Sequence, residues 1–246
     1  MITGGSGTIG FTIAKAFSKL GAQTILIDKD ETSLKKAVDS LGTGHGYLTL
    51  DVTSPDAAEQ AMLGSIQKFG GLDILISNAG AAHAGPMLSI SEDDLRDAFE
   101  LNFFSHYSFS TAAAKIFQNQ NRGGQILFNI SKQAVNPGKN FGAYGMPKAT
   151  TFFLMKQLAL ELGANGIRVN GVNADRIRSG LLTDDFISSR AKSRGVSESD
   201  YMAGNLLNKE VTAEHVADAF TSLACAESTT GQVMTVDGGN IEASLR

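Results

Sequence analysis

Short β-rich runs recur along this chain at residues 24–28, 46–51, 74–78, 125–131, 168–172 and 233–236, with stretches of helical periodicity between them. Within one such run, Ile74-Leu75-Ile76 is apolar without alternation, as a strand is when helices cover both faces of its sheet. Parallel neighbours need a crossover of a dozen or more residues, which the intervening helices supply. The pattern therefore predicts a single α/β domain: a doubly wound parallel sheet (Rossmann fold) in three layers. With 246 residues, 42% of them hydrophobic, the chain can bury the core such a sheet requires. Residues 175–208, rich in Ser, Arg and Gly, show neither periodicity and are expected to be a long irregular segment that closes over substrate as a lid.

The apolar lead-in to Thr3-Gly4 is only Met1-Ile2, against roughly five residues in an ordinary strand. A central strand cut this short points to a polypeptide that continues upstream of Met1. The formal net charge of −4 is spread along the chain without a basic block, which argues against a nucleic-acid partner. No apolar run approaches the roughly 18 residues of a membrane span, and the amino terminus has no secretory pattern, so a cytoplasmic protein with no membrane partner is expected. Cys225, in the apolar run 216–226, is expected to be a small buried core residue. No cluster of Cys, His or acidic residues has metal-ligand spacing; His83 and His106 are read as structural or pocket residues.

Between the first strand and a helix lies Thr3-Gly4-Gly5-Ser6-Gly7-Thr8-Ile9-Gly10. Glycines here let the main chain approach a pyrophosphate, whose charge the helix N-terminus stabilises. Gly4, Ser6, Gly7, Thr8, Ile9 and Gly10 are the candidate phosphate cradle. Asp28, eighteen residues after Gly10 at the end of the next strand, can accept hydrogen bonds from ribose hydroxyls and would repel a 2′-phosphate. The expected cofactor is NAD rather than NADP, with Lys29 placed to soften that repulsion.

Further on come Asp51-Val52, Asn78-Ala79-Gly80, Asn102, Ser131, the run Tyr144-Gly145-Met146-Pro147-Lys148, Arg168-Val169-Asn170 and Asp237-Gly238-Gly239. Together with the Gly-rich turn, and in this order, they resemble the short-chain dehydrogenases over nearly the whole chain. Ser131-Lys132 with Gly138-Lys139-Asn140 is similar, more narrowly, to the dehydrogenase half of bifunctional aldolase/short-chain dehydrogenases of sugar degradation, and also to sorbitol-6-phosphate dehydrogenases. An upstream aldolase domain would then account for the abrupt start. Two departures stand out: Thr8 occupies a position where short family members commonly have glycine, leaving Gly7 to supply the flexible position, and Asn173-Ala174-Asp175 replaces the usual Pro-Gly after the sixth strand.

Tyr144 and Lys148, four residues apart, share a helix face, so the ammonium can favour the ionised phenol, which at an ordinary pKa of about 10 is a poor base. The expected chemistry is removal of an alcohol proton by Tyr144 as hydride passes to nicotinamide. Ser131 would orient the substrate oxygen, although a strand-end serine can also merely cap a turn. The resemblance implies that Asn102 holds a water linking Lys148 to solvent, that Lys148 binds the nicotinamide ribose, and that Asp51, Val52, Asn78, Ala79 and Gly80 position the cofactor. It also implies a homodimer or homotetramer. Lys132, Lys139 and Asn140 lie on the substrate side, where two ammonium groups within eight residues are either an exposed pair, with Asn140 satisfying a turn, or share an anion on the substrate. The implied substrate is a small molecule, a sugar-derived secondary alcohol or hydroxyaldehyde; the alternative is a catalytically silent NAD-binding regulator or scaffold.

Overall fold

The computed structural model describes residues 1–82 and 84–240. Its elements run β1 (Ile2–Thr3), α1 (Thr8–Lys19), β2 (Ile25–Asp28), α2 (Glu31–Leu41), β3 (Gly46–Thr49), α3 (Ala57–Phe69), β4 (Ile74–Ser77), α4 (Glu92–Phe99), α5 (Ser105–Gln120), β5 (Gly124–Asn129), α6 (Gly142–Leu162), β6 (Ile167–Ala174), α7 (Asp184–Arg194), α8 (Glu198–Met202), α9 (Ala213–Cys225) and β7 (Val233–Val236). The seven strands form one parallel sheet in the order β3-β2-β1-β4-β5-β6-β7. This is the doubly wound α/β fold read from the sequence. Although β1 has only two residues, it pairs on both sides, with Ile2 opposite Leu26 of β2 and Ile76 of β4.

The period of two along each strand explains the apolar runs. Ile25, Ile27, Leu75, Ile126, Phe128 and Val169 point to one face and pack with Met62, Phe109, Phe117 and Met155 from α3, α5 and α6. Ile2, Leu26, Ile76, Leu127 and Val172 point to the other, against Ile13, Phe17, Leu34, Val216 and Phe220 from α1, α2 and α9. Each fully buried side chain of this size stabilises the fold by about 1.5–3 kcal/mol. Chain order reverses direction between β1 and β4, which opens a crevice beyond the carboxyl ends of the strands.

Two expectations are corrected here. Residues 175–208 are not irregular throughout, because they contain α7 and α8. Thr183 and Ser197 cap these helices by accepting from the N–H groups of Phe186 and Asp200, and Gly195 ends α7 in the left-handed region at φ 68°. Leu182, Ile187, Ala191, Tyr201 and Met202 give this segment a small core of its own. Cys225 is exposed rather than buried. It ends α9, whose buried face is carried by Val216, Phe220 and Leu223 at helical spacing. Among the described residues no helix is long and apolar enough to cross a membrane, and no group of side chains could hold a metal ion. His83 lies outside the described residues.

Candidate active site

The turn after β1 owes its shape to two glycines. Gly4 sits at φ +63°, and a Cβ on Gly10 would meet the Gly4 carbonyl oxygen at 2.2 Å. Gly7, at φ −72°, is in ordinary extended backbone, so the conformational freedom expected of it belongs to Gly4 instead. Thr8 opens α1 in helical backbone, which any residue adopts, so the departure from glycine there carries no strain. No side chain caps this helix and its first turn holds no acid, which leaves its amides and positive dipole end for an anion. Gly4, Gly7, Thr8, Ile9 and Gly10 all line the large crevice at this point.

Ser6 is not on the crevice wall. Its N–H and hydroxyl donate to Asp28 Oδ2 at 3.2 and 2.7 Å, and Lys29 N–H donates to Oδ1 at 2.8 Å, so Ser6 positions the Asp28 carboxylate that does line the crevice. Asp51 accepts from the N–H and hydroxyl of Thr53 at 3.0 and 2.7 Å, and these bonds hold its carboxyl below the usual range. Asn78 braces three strands: its Nδ2 donates to the Thr3 carbonyl at 3.0 Å and its Oδ1 accepts from Asn129 Nδ2 at 2.9 Å. Val52, Ala79 and Gly80 complete this part of the wall.

Ser131 follows β5, and Tyr144 and Lys148 project from α6; all three are buried yet border the crevice. Burial pushes the Tyr144 phenol above its ordinary pKa, and a hydrogen bond with Ser131 counters that rise. The expected acidifying partner, Lys148, instead has its Nζ 5.9 Å from the Tyr144 ring centroid and donates to the Asn129 carbonyl at 3.1 Å. Its own burial pulls Lys148 down to about 8. Ser131 also accepts from Gln133 N–H at 3.3 Å, so the capping role and the contact with Tyr144 coexist.

Asn102 sits in a π turn, Glu100–Phe104, between α4 and α5. Its Nδ2 donates to the carbonyls of Ala81 and Ala98, and its own carbonyl accepts from the Thr151 hydroxyl at 2.7 Å. Its buried Oδ1 has no hydrogen-bond partner among the described residues; a Cβ on Gly80 would lie 2.8 Å from this atom and 3.4 Å from Lys148 Nζ. Gly80 thus leaves room for the two groups to face the same space.

Behind Lys148, off the crevice wall, His106 Nε2 lies 3.4 Å from Nζ and Nδ1 lies 2.6 Å from the Ser77 hydroxyl. Burial, reinforced by the Lys148 ammonium, pushes the imidazole pKa well below its ordinary value. Because the folded form resists protonation, the unfolded chain gains protons first as pH falls below about 6.5, and stability declines there. Urea unfolding should accordingly give a lower midpoint at about pH 5.5 than at about pH 7.5, and His106→Asn should reduce that difference. An unchanged difference in the variant would remove His106 as its source.

On the substrate side, Lys132 Nζ pairs with the buried Asp175 carboxylate at 2.6 Å. The other oxygen of Asp175 accepts from Asn240 Nδ2 at 2.6 Å and faces Arg176 Nε at 3.3 Å. The anion for Lys132 therefore comes from the chain itself, at the position that departs from Pro-Gly. Lys139 is exposed on the wall. Asn140 is off the wall, in the left-handed region at φ 68°, with its carbonyl accepting from Gly85 N–H at 2.8 Å, which makes it a turn residue.

The crevice encloses about 1160 Å³ and runs from α1 past Asp28 to Tyr144 and α7, larger than a site for one small molecule. A family model described as enoyl-(acyl carrier protein) reductase matches residues 5–240. The chain belongs to the short-chain dehydrogenase/reductase family. YuxG of Bacillus subtilis (strain 168), an uncharacterized oxidoreductase, is 31% identical over 97% of this chain, which spans 37% of YuxG. Acetoin dehydrogenase from Enterobacter cloacae superposes with a TM-score of 0.84 at 28% identity, covering 100% of this chain and 96% of that one. The 3-ketoacyl-(acyl-carrier-protein) reductase from Brucella melitensis, crystallised with NADH, shares the fold with a TM-score of 0.85 at 24% identity, covering 97% and 96%.

This short-chain dehydrogenase/reductase also has site residues that sequence reading missed. Thr151, seven residues after Tyr144 and so on the same face of α6, was marked only by that helical spacing. Asp175 was noticed only as a departure. Arg190 and Arg194, one turn apart, became recognisable as wall residues only once Thr183 was recognised as a helix cap.

Proposed function

We propose that the protein is an NAD-dependent oxidoreductase that interconverts a sugar-derived secondary alcohol or hydroxyaldehyde with its carbonyl or acid form. The observation that carries this reading is the gathering of Ser131, Tyr144 and Lys148, all buried, on the wall of the crevice that begins at the uncapped N-terminus of α1. The residues fit a dinucleotide: the Gly4–Gly10 turn admits close main-chain approach, and the Asp28 carboxylate on the same crevice could accept from adenosine ribose hydroxyls. A bound NAD would supply the hydride acceptor for oxidation at the carbinol carbon, and NADH the donor for reduction. Ser131 donates to the substrate oxygen, while Tyr144 oxygen takes the hydroxyl proton. Lys148 would hold the nicotinamide ribose. The buried Asn102 Oδ1 offers an acceptor on the proton path from Lys148 outward.

The likeness of Ser131-Lys132 and Gly138-Lys139-Asn140 to bifunctional aldolase/short-chain dehydrogenases supports short hydroxyaldehydes among the substrates, oxidised to acids as their hydrates. The test is a screen of NAD reduction over polyols, sugar phosphates, hydroxy acids and short aldehydes. Reduction with at least one class is expected; none with any class would favour the silent regulator.

The active form in this reading is a homo-oligomer, at minimum a dimer. Met146, Phe153 and Leu160 recur every seven residues on one face of α6, the last two 69% and 80% exposed. Phe104 and Tyr107 expose further apolar surface at the start of the adjoining α5. A second copy meeting this face about a two-fold axis would cover both sets. Sedimentation of wild type should give a dimer or tetramer, and Phe153→Glu with Leu160→Glu should shift it toward monomer. A monomeric wild type, or an unchanged double variant, would rule this interface out.

A further inference from the structure

The substrate end of the crevice has an excess of positive charge. Lys132, Lys139, Arg176, Arg190 and Arg194 all line it, and Asp175 pairs with Lys132 and Arg176. The other acids on the wall are Asp28 and Asp51 at the ribose end, and Asp97 and Glu100 from α4 and the π turn. Among the described residues, no carboxylate lies within 4 Å of Lys139, Arg190 or Arg194.

Arg190 is half-buried and Arg194 exposed, and each packs against aromatic rings. Arg190 lies 5.0 Å from the Phe141 ring centroid and 5.3 Å from that of Phe186, and its Nη2 donates to the Lys139 carbonyl at 3.2 Å. Phe141 in turn accepts from the backbone N–H of Tyr144 at 3.2 Å, which ties this guanidinium to the start of the reactive helix. Arg194, one turn further along α7, stacks on Tyr201 at 5.3 Å. Arg194 makes no hydrogen bond or ion pair to the described residues, yet it is close enough to Lys132 for its charge to depress that ammonium. Like charges at this spacing repel, and stacking on aromatic faces keeps both side chains presented at the crevice.

We propose that Arg190 and Arg194, with Lys139 opposite, form an oxyanion subsite that binds a carboxylate or phosphate carried by the substrate, with Lys132 committed to Asp175. This rests on the alcohol-oxidoreductase reading and narrows it to hydroxy acids or sugar phosphates. The anion would be anchored at α7 and the carbinol placed at Ser131 and Tyr144.

The test compares matched alcohols, a polyol against its monophosphate and a diol against the corresponding 2-hydroxy acid, in wild type, Arg190→Met, Arg194→Met and the double variant. Wild type should favour one charged member by at least about tenfold in kcat/KM, and the pair showing it identifies phosphate or carboxylate. The double variant should remove most of that ratio, and Arg194→Lys should keep more of it than Arg194→Met. Equal kcat/KM for both members of each pair in wild type, or equal losses on both in the double variant, would overturn the subsite. If no alcohol reacts, the enzymatic reading fails separately, and calorimetric titration of the protein–NADH complex with inorganic phosphate and with a 2-hydroxy acid decides the subsite. Saturable binding lost in the double variant supports it; no binding, or binding unaffected by the substitutions, overturns it.

Discussion

Tyr144→Phe is expected to lower turnover by at least ~100-fold on whichever alcohol the protein accepts, because removing a general acid–base commonly costs 10²–10⁴-fold. The ring stays in place and only the hydroxyl that meets Ser131 is lost, so NAD affinity should change far less than turnover. The pH profile carries the same argument. Burial holds the phenol above its ordinary pKa, so kcat/KM for alcohol oxidation should rise with pH as the phenolate forms. Ser131→Ala removes the hydrogen bond that counters this burial and should move the rise to higher pH. Burial brings Lys148 down to about 8, so its positive charge fades as pH rises above that value. Near-wild-type turnover in Tyr144→Phe, measured on the true substrate, would end this mechanism.

NAD should be preferred over NADP by at least ~10-fold in kcat/KM, a discrimination of about 1.4 kcal/mol. Asp28 is the reason: Ser6 holds one carboxylate oxygen through two hydrogen bonds and Lys29 N–H holds the other, so the charge cannot swing away from an incoming 2′-phosphate. The bond from Lys29 is made by its backbone, which leaves its exposed ammonium able to attract that phosphate. Steady-state comparison of the two cofactors in wild type and Asp28→Ala checks this. The variant should narrow the ratio; a wild-type preference for NADP would show that Lys29 dominates.

Much of the sheet could be read because doubly buried strands leave continuous apolar runs, and Ile74-Leu75-Ile76 lies in the sheet as its pattern requires. The shared face of Tyr144 and Lys148 on α6 was legible for a similar reason: a four-residue spacing fixes both on one side of a helix whatever surrounds them. What escaped depends on contacts between segments distant in sequence. No local pattern pairs Lys132 with Asp175, forty-three residues away, or sets His106 behind Lys148. Gly7 was credited with a conformation that Gly4 adopts, since the order of glycines does not reveal which one carries positive φ. The helices within 175–208 were signalled only by single caps at Thr183 and Ser197 and by Gly195, features weaker than an amphipathic stripe.

The central claim is that Tyr144 removes the alcohol proton as the carbinol hydrogen passes directly to NAD. A single turnover with a carbinol-deuterated form of the best substrate from the screen tests it, read by mass spectrometry of the reduced cofactor. Wild type should yield NADH carrying deuterium, and Tyr144→Phe the same label at least ~100-fold more slowly. Unlabelled NADH, or equal rates of label transfer in the two proteins, would contradict it.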